Sequence, residues 1–142
     1  LVAILPNLVP ILAIFVTMYL LDITLDAATV MVASIALGIA VDDTVHLLTA
    51  IHQERTKGAQ AREAITKGLV KVGASVSVTT VAATVGFFTL STSSFTPVAY
   101  FGMLSGIAMI MALIADLFLV PALYSIGTPP QSKNTEGPPV AT

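Results

Sequence analysis

The sequence predicts an all-α membrane protein: a bundle of four transmembrane helices with a short interfacial helix on the cytoplasmic side. Hydrophobic residues make up 56% of the 142 residues and charged residues only 10%, and the mean hydropathy is +0.94. A soluble domain carries about 25% charged residues, so this chain has too few to cover a surface in water. Its apolar residues fall into four stretches, each close to the ~20 residues that a helix needs to cross a bilayer.

The first two predicted spans are residues 1–21 and 27–50, and a short polar turn separates them. Pro6 and Pro10 lie near the start of the first span, where a missing N–H group disturbs a helix least. The chain does not begin with Met, and its apolar pattern already runs at the first residue. We therefore expect a fragment whose N-terminal part is absent.

Residues 53–71 form the charge-rich stretch of the chain. They hold five of its six basic residues: Arg55, Lys57, Arg62, Lys67 and Lys71. Between residues 61 and 69 apolar side chains recur at helical spacing, with charged side chains on the other faces, and this pattern predicts a short interfacial helix. An ordinary solvated loop is the alternative.

The third and fourth predicted spans are residues 72–92 and 98–124. Gly102 and Gly106, in the fourth span, are spaced as a GxxxG pair, which commonly marks close packing between membrane helices. Residues 1–126 are thus predicted to form the transmembrane domain, and the proline-rich residues 127–142 a disordered tail.

The distribution of basic residues predicts the orientation of the bundle. The sixth basic residue is Lys133 in the tail, and the two short turns between spans carry none. Loops rich in Lys and Arg stay on the cytoplasmic side, so we expect the loop 53–71 and the C-terminus to be cytoplasmic. The predicted location is the cell membrane, that is, the inner or cytoplasmic membrane of a cell that has two.

Composition argues against several classes of function. A net charge of −2 with six basic residues gives no basic footprint for nucleic acid. The chain has no Cys, so no disulfide framework or thiolate metal site is predicted. His46 and His52 are six residues apart and make no zinc site, and no nucleophile with a base or phosphate loop is present. We expect no enzyme and no cofactor beyond a coupling ion.

The second span carries two adjacent acids, Asp42 and Asp43. A charged side chain inside a membrane span costs about 2.5–3.5 kcal/mol on insertion scales and marks function by default. Neighbours on a helix differ by about 100°, so the two side chains point in different directions. The alternative is a pair of acids in a water-filled crevice without a coupling role.

Ser34, Gly38, Asp42 and His46 are spaced by four and form one stripe of polar or small residues. At Gly38 we expect a neighbouring helix to cross closely. His46 lies one turn nearer the cytoplasm than Asp42, where it is suited either to relaying protons or to anchoring the helix at the interface.

Polar groups on three spans are predicted to lie at one depth. At 1.5 Å per residue, Asp42 and Asp116 lie about 12 Å from the cytoplasmic end of their helices, and Thr79 and Thr80 about 11 Å. Carboxylates with hydroxyl groups nearby are suited to carrying a proton, and the same oxygens could hold Na⁺. Alternatively, the threonines bond to carbonyls of their own helix, and Asp116 only caps or positions a helix break before Pro121.

Several of these residues together resemble a known family. The stretch from Gly38 to His46, with its Asp42-Asp43-Thr44-x-His46 element, resembles the signature of a central helix in the RND superfamily of transporters. The likeness is closest to the MMPL-type and hydrophobe/amphiphile exporter branches, which are related to the sterol-sensing domains of Patched-like proteins. It covers about residues 5–126 and continues through residues 72–80, 86–88, 101–102 and 115–123.

The resemblance implies that these spans are the last four of twelve, and that the first half and the extracytoplasmic porter domains are missing here. It implies that Asp42 and Asp43 carry the coupling proton. Multidrug members carry a lysine in the equivalent helix, so the acids match the lipid-exporting branches better. A homo-oligomer is compatible with this architecture.

The leading hypothesis is therefore a fragment of a proton-driven secondary transporter, in contact with the bilayer, that exports a lipid or hydrophobic amphiphile. One alternative is a sterol-sensing-like module that binds lipid without pumping. Another is a proton-driven accessory of protein secretion.

Overall fold

The computed structural model describes residues 4–127, and they form helices joined by short turns, without a strand in that range. The predicted all-α membrane bundle is confirmed. In chain order the helices are α1 (Ile4–Leu20), α2 (Ala27–Thr56), α3 (Ala61–Gly68), α4 (Ala74–Leu90), α5 (Thr96–Ile114) and α6 (Val120–Gly127). Two wider π-helical turns, Leu69–Gly73 and Ala115–Leu119, join α3 to α4 and α5 to α6.

Three helices in the described residues are long and apolar enough to cross a membrane: Thr29–Thr56, Ala61–Leu90 and Thr96–Ile126. The first predicted span is shorter than expected, because α1 has 17 residues and is therefore about 26 Å long. Residues 1–3 of that span lie outside the described residues, as does the predicted tail from residue 128 onward.

The turn between α1 and α2 ends in a capping box. The backbone N–H of Thr29 donates to Asp26 Oδ1, and the backbone N–H of Asp26 donates to Thr29 Oγ1, both at 2.8 Å. This exchange satisfies two N–H groups that a helix start leaves without partners. It explains why the apolar sequence restarts as a new helix at Ala27.

The helix predicted near residues 61–69 is present as α3, but it does not stand apart from the third span. It continues through the turn Leu69–Gly73 into α4, so that residues 61–90 form one long helix. Its apolar face is buried in protein: Ala64 and Ile65 pack with Leu47 and Ile51 of α2 and with Val120 of α6. The pattern of small and apolar residues thus marks a contact with neighbouring helices at this end of the bundle.

Helix α5 is the central helix of the bundle and packs against α1, α2 and α4. Its small residues make this possible. A Cβ atom built on Gly102 would lie 2.5 Å from the carbonyl oxygen of Phe87 and 2.7 Å from Leu90 Cβ, and one on Gly106 would lie 3.0 Å from the Phe88 ring. The GxxxG pair therefore lets α5 approach the α4 backbone closely.

The hydrophobic core lies between α1, α2 and α5. It is formed by Ile14, Met18, Ile23, Val32, Ala36, Leu104 and Ala108, all buried. Helix α4 packs against α5, and a groove remains between α4 and α2.

Candidate functional site

The groove between α2 and α4 has a volume of about 390 Å³, which is room for about thirteen water molecules at ~30 Å³ each. Its polar lining comes from the two helices that form its walls: Asp42, Asp43 and His46 of α2, and Ser75, Thr79 and Thr80 of α4. The structure therefore brings five of the predicted site residues to one cavity.

Asp42 and His46 lie on the open side of the groove. Asp42 Oδ1 and His46 Nε2 are 3.5 Å apart, and their side chains are 73% and 66% exposed. At these exposures, neither is covered by another helix of the described chain.

Asp43 lies deeper and faces α4. The hydroxyl of Thr80 donates a hydrogen bond to Asp43 Oδ2 at 3.1 Å, and Thr80 is buried while Asp43 is half-buried. The neighbouring Thr79 behaves differently, because its hydroxyl donates to the carbonyl oxygens of Ser75 and Val76 in its own helix. Thr80 thus donates its hydrogen bond to the acid on α2, while Thr79 bonds to carbonyl oxygens of its own helix.

Asp116 is not in the groove. Its side chain is 2% exposed and its Oδ1 lies 2.6 Å from the hydroxyl oxygen of Thr44. The same hydroxyl oxygen lies 3.0 Å from Asn7 Oδ1 and 2.9 Å from the carbonyl oxygen of Ala40. We call Asn7, Thr44 and Asp116 the core triad; it joins α1, α2 and the turn Ala115–Leu119.

The alternative role for Asp116 is to cap or position a helix break before Pro121, and the structure has a widened helical turn there rather than a break. The chain stays helical through Pro121, which lies in α6. A proline removes one backbone hydrogen bond and crowds the carbonyl four residues before it. Here the widened turn Ala115–Leu119 ends two residues before Pro121 and contains that carbonyl. Such π-helical turns often occur at functional sites, and this one contains Asp116, which is buried.

The sequence analysis missed Asn7 and Thr44. The sequence analysis assigns no role to Asn7, and it names Thr44 only within the Asp42-Asp43-Thr44-x-His46 element. Both are buried. The available signal was that Asn7 is an amide within an apolar stretch, since a polar group in lipid requires a partner on another helix.

The predicted close crossing at Gly38 is not made by any described helix. A Cβ atom there would meet no atom within 4 Å, and Ser34, Asp42 and His46 of the same stripe are also exposed. The whole stripe therefore lies on a face of α2 that residues 4–127 leave uncovered. The reason is that α2 packs its opposite face against α1 and α5.

The chemistry available at the site is that of carboxyl, imidazole and hydroxyl groups. Among residues 4–127, no three His, Cys, Asp or Glu side chains are arranged to hold a metal ion. All Lys and Arg residues lie at 55–71 or at 133, so none of the predicted spans supplies a positive side chain. The groove thus places carboxyl, imidazole and hydroxyl groups, which can exchange protons, in one cavity large enough to hold water.

Comparisons with known proteins agree with this architecture. The MMPL family matches the chain over residues 1–136. A protein of Methanocaldococcus jannaschii named "Putative membrane protein MJ1562" is 35% identical over 109 residues, which are 77% of this chain and 28% of that protein. The chain therefore spans less than a third of that relative. No solved structure matches the chain.

Proposed function

The chain belongs to the MMPL family, and from that premise we propose that it is part of a proton-driven secondary transporter that exports a lipid or hydrophobic amphiphile. The observation that carries the proposal is the groove between α2 and α4. It holds two acids and a histidine against a threonine of the facing helix.

The groove supports proton coupling because its two acids differ in environment. Asp42 lies on the open side beside His46, while Asp43 is half-buried against Thr80. A proton arriving at Asp42 or His46 can pass to Asp43 through water in the cavity. Protonation of Asp43 removes the charge that Thr80 stabilises, and so changes the free energy of the contact between α2 and α4. A ligand shifts a conformational equilibrium when it binds two arrangements with different affinity.

The proposed substrate class comes from the resemblance to lipid-exporting branches of the superfamily. In such a transporter the four predicted spans would form the C-terminal part of the membrane domain, and the remaining chain would supply most of the substrate path. No catalytic residue is assigned, and no cofactor other than the coupling ion, H⁺, with Na⁺ as the alternative.

The test is to reconstitute the full-length transporter in liposomes and impose a proton gradient, a sodium gradient or neither. The probe is a fluorescent long-chain amphiphile whose transfer is followed with a membrane-impermeant quencher, and protein-free liposomes are the control. We expect transfer with the proton gradient only. Transfer with the sodium gradient alone would contradict proton coupling. Binding of the probe without transfer under any gradient would contradict pumping and favour a lipid-binding module.

In the proposed orientation the basic segment 53–71 is cytoplasmic and the two short turns face outward, as loops rich in Lys and Arg predict. The chain has no Cys, so single cysteines can report each side. A cysteine at Thr24 or Ser94, both exposed, is expected to react in intact cells with a membrane-impermeant thiol reagent. A cysteine at the exposed Gln60 should react only after the cells are permeabilised. Labelling at position 60 in intact cells would reverse the orientation.

A further inference from the structure

The core triad contains a carboxyl group for which the groove mechanism has no role. Asp116 is 2% exposed and does not line the groove. Its Oδ1 lies 2.6 Å from Thr44 Oγ1, and its Oδ2 is buried without a hydrogen-bond partner in the described part of the chain. A buried polar atom without a partner is rare in proteins and calls for a physical explanation.

Counting hydrogens at Thr44 indicates the protonation state. Its hydroxyl oxygen contacts three oxygen atoms, those of Ala40, Asn7 and Asp116, but a hydroxyl donates one hydrogen and accepts at most two. A threonine in a helix commonly donates to the carbonyl four residues before it, here that of Ala40. The other two contacts are then hydrogen bonds only if their partners donate. Asn7 can do so with its amide nitrogen, since the two ends of an amide are assigned rather than observed. Asp116 can do so only when it is protonated.

The charges around Asp116 point the same way. The titratable group near Asp116 on α2 is Asp43, which points toward α4 but whose negative charge would oppose a second one at Asp116. On α1, the uncharged Asn7 contacts the same Thr44 hydroxyl as Asp116, and the four predicted spans contain no Lys or Arg. An ionised carboxylate buried without a positive partner is far more costly than a neutral carboxyl group.

The same distances argue against a metal ion within the triad. An oxygen–oxygen separation of 2.6 Å is that of a short O–H···O hydrogen bond. It leaves no space for a cation between Thr44 and Asp116. The ligand that fits this geometry is a proton.

We propose that Asp116 is a second proton-binding site, separate from the groove, which holds a proton inside the junction of α1, α2 and the turn Ala115–Leu119. Loss of this proton would leave a negative charge and an unpartnered oxygen in a buried position. The junction would then have to open to water. The proton on Asp116 therefore holds α1 and α2 against this turn, and it does so whether or not the protein exports a lipid.

The experiment is infrared spectroscopy of the purified full-length protein at neutral pH, where exposed carboxyl groups are ionised. Wild-type protein is expected to show the carbonyl band of a protonated carboxyl group, with the isotope shift of an exchangeable proton in D₂O. Asp116→Asn should lose this band, because Asn keeps the shape and can still donate to Thr44 but carries no carboxyl group. Asp43→Asn and Asp42→Asn should retain it.

Thr44→Val provides an independent readout, because it removes the hydroxyl but leaves the carboxyl group. The band should persist and move, since its hydrogen-bond partner is gone. Absence of the band in the wild type, its survival in Asp116→Asn, or an unmoved band in Thr44→Val would each overturn the proposal. None of these outcomes depends on transport, so a failure here is distinguishable from a failure of proton-driven export.

Discussion

Asp42→Asn and Asp43→Asn are each expected to abolish export driven by a proton gradient in the full-length transporter, while leaving expression and membrane insertion intact. Asn is nearly isosteric with Asp but cannot bind and release a proton. At position 43 the Asn side chain can still accept the hydrogen bond from Thr80, so the contact between α2 and α4 is preserved. The loss should therefore be one of coupling rather than of folding.

The matched control is Asp22→Asn, the same chemical change in the turn between α1 and α2. Asp22 has a φ of 49°, a left-handed conformation that Asn adopts as readily as Asp. Export measured in liposomes should fall to the protein-free level in the two groove variants and stay at the wild-type rate in the control. If the double variant Asp42→Asn/Asp43→Asn exported at the wild-type rate, these acids would not be the coupling site.

The level of the polar groups could be predicted from sequence because it depends on local quantities. Hydropathy locates the spans, the basic loop sets their direction, and the constant rise of a helix converts residue number into depth. These quantities placed Asp42 level with Thr79, Thr80 and Asp116. In the structure it is the adjacent acid, Asp43, that accepts a hydrogen bond from Thr80.

The residues on neighbouring helices that a given side chain contacts could not be predicted in the same way. Which residue meets Thr44 depends on how α1 and α5 rotate about their axes, and that rotation is set by packing rather than by the sequence of α2. The exposed face at Gly38 has the same origin. A small residue permits a close crossing, but it does not require that one of these helices makes it.

The continuity of α3 with α4 has a different cause. The change from a charged to an apolar pattern near residue 71 predicted a boundary between a loop helix and a span. The chain instead keeps its helical path through the turn Leu69–Gly73. A π-helical turn inserts one residue without breaking the helix. The helix therefore continues from α3 into α4, although the composition changes from charged to apolar at this point.

Two consecutive residues of α2 give this helix its central position in the proposed mechanism. Asp43 contacts Thr80 on α4, and Thr44 contacts Asn7 and Asp116 on the other side. Because neighbours on a helix differ by about 100°, a small rotation of α2 disturbs both sets of hydrogen bonds together. Protonation in the groove and the arrangement of the core triad are therefore physically linked through one helix.

Thr80→Val is expected to reduce proton-driven export about tenfold to a hundredfold. Within the described residues, the hydroxyl of Thr80 donates a hydrogen bond to Asp43. Valine has a similar shape but no hydroxyl group. A hydrogen bond to a charged group contributes about 1.5–3 kcal/mol, and every ~1.4 kcal/mol is a factor of ten in an equilibrium. Removing the donor destabilises the arrangement in which Asp43 has released its proton, so fewer molecules complete each cycle.

The adjacent Thr79 gives the control for this substitution. Its hydroxyl donates to carbonyl oxygens of its own helix rather than to Asp43. Thr79→Val should therefore change the export rate by less than about twofold. Thr80→Ser keeps a hydroxyl group and should restore most of the rate that Thr80→Val loses. The measurement compares the export rates of these variants with the wild-type rate at a fixed proton gradient. Thermal unfolding in detergent verifies that the variants fold equally well. Equal rates for Thr80→Val and Thr79→Val would show that the hydrogen bond to Asp43 has no part in coupling.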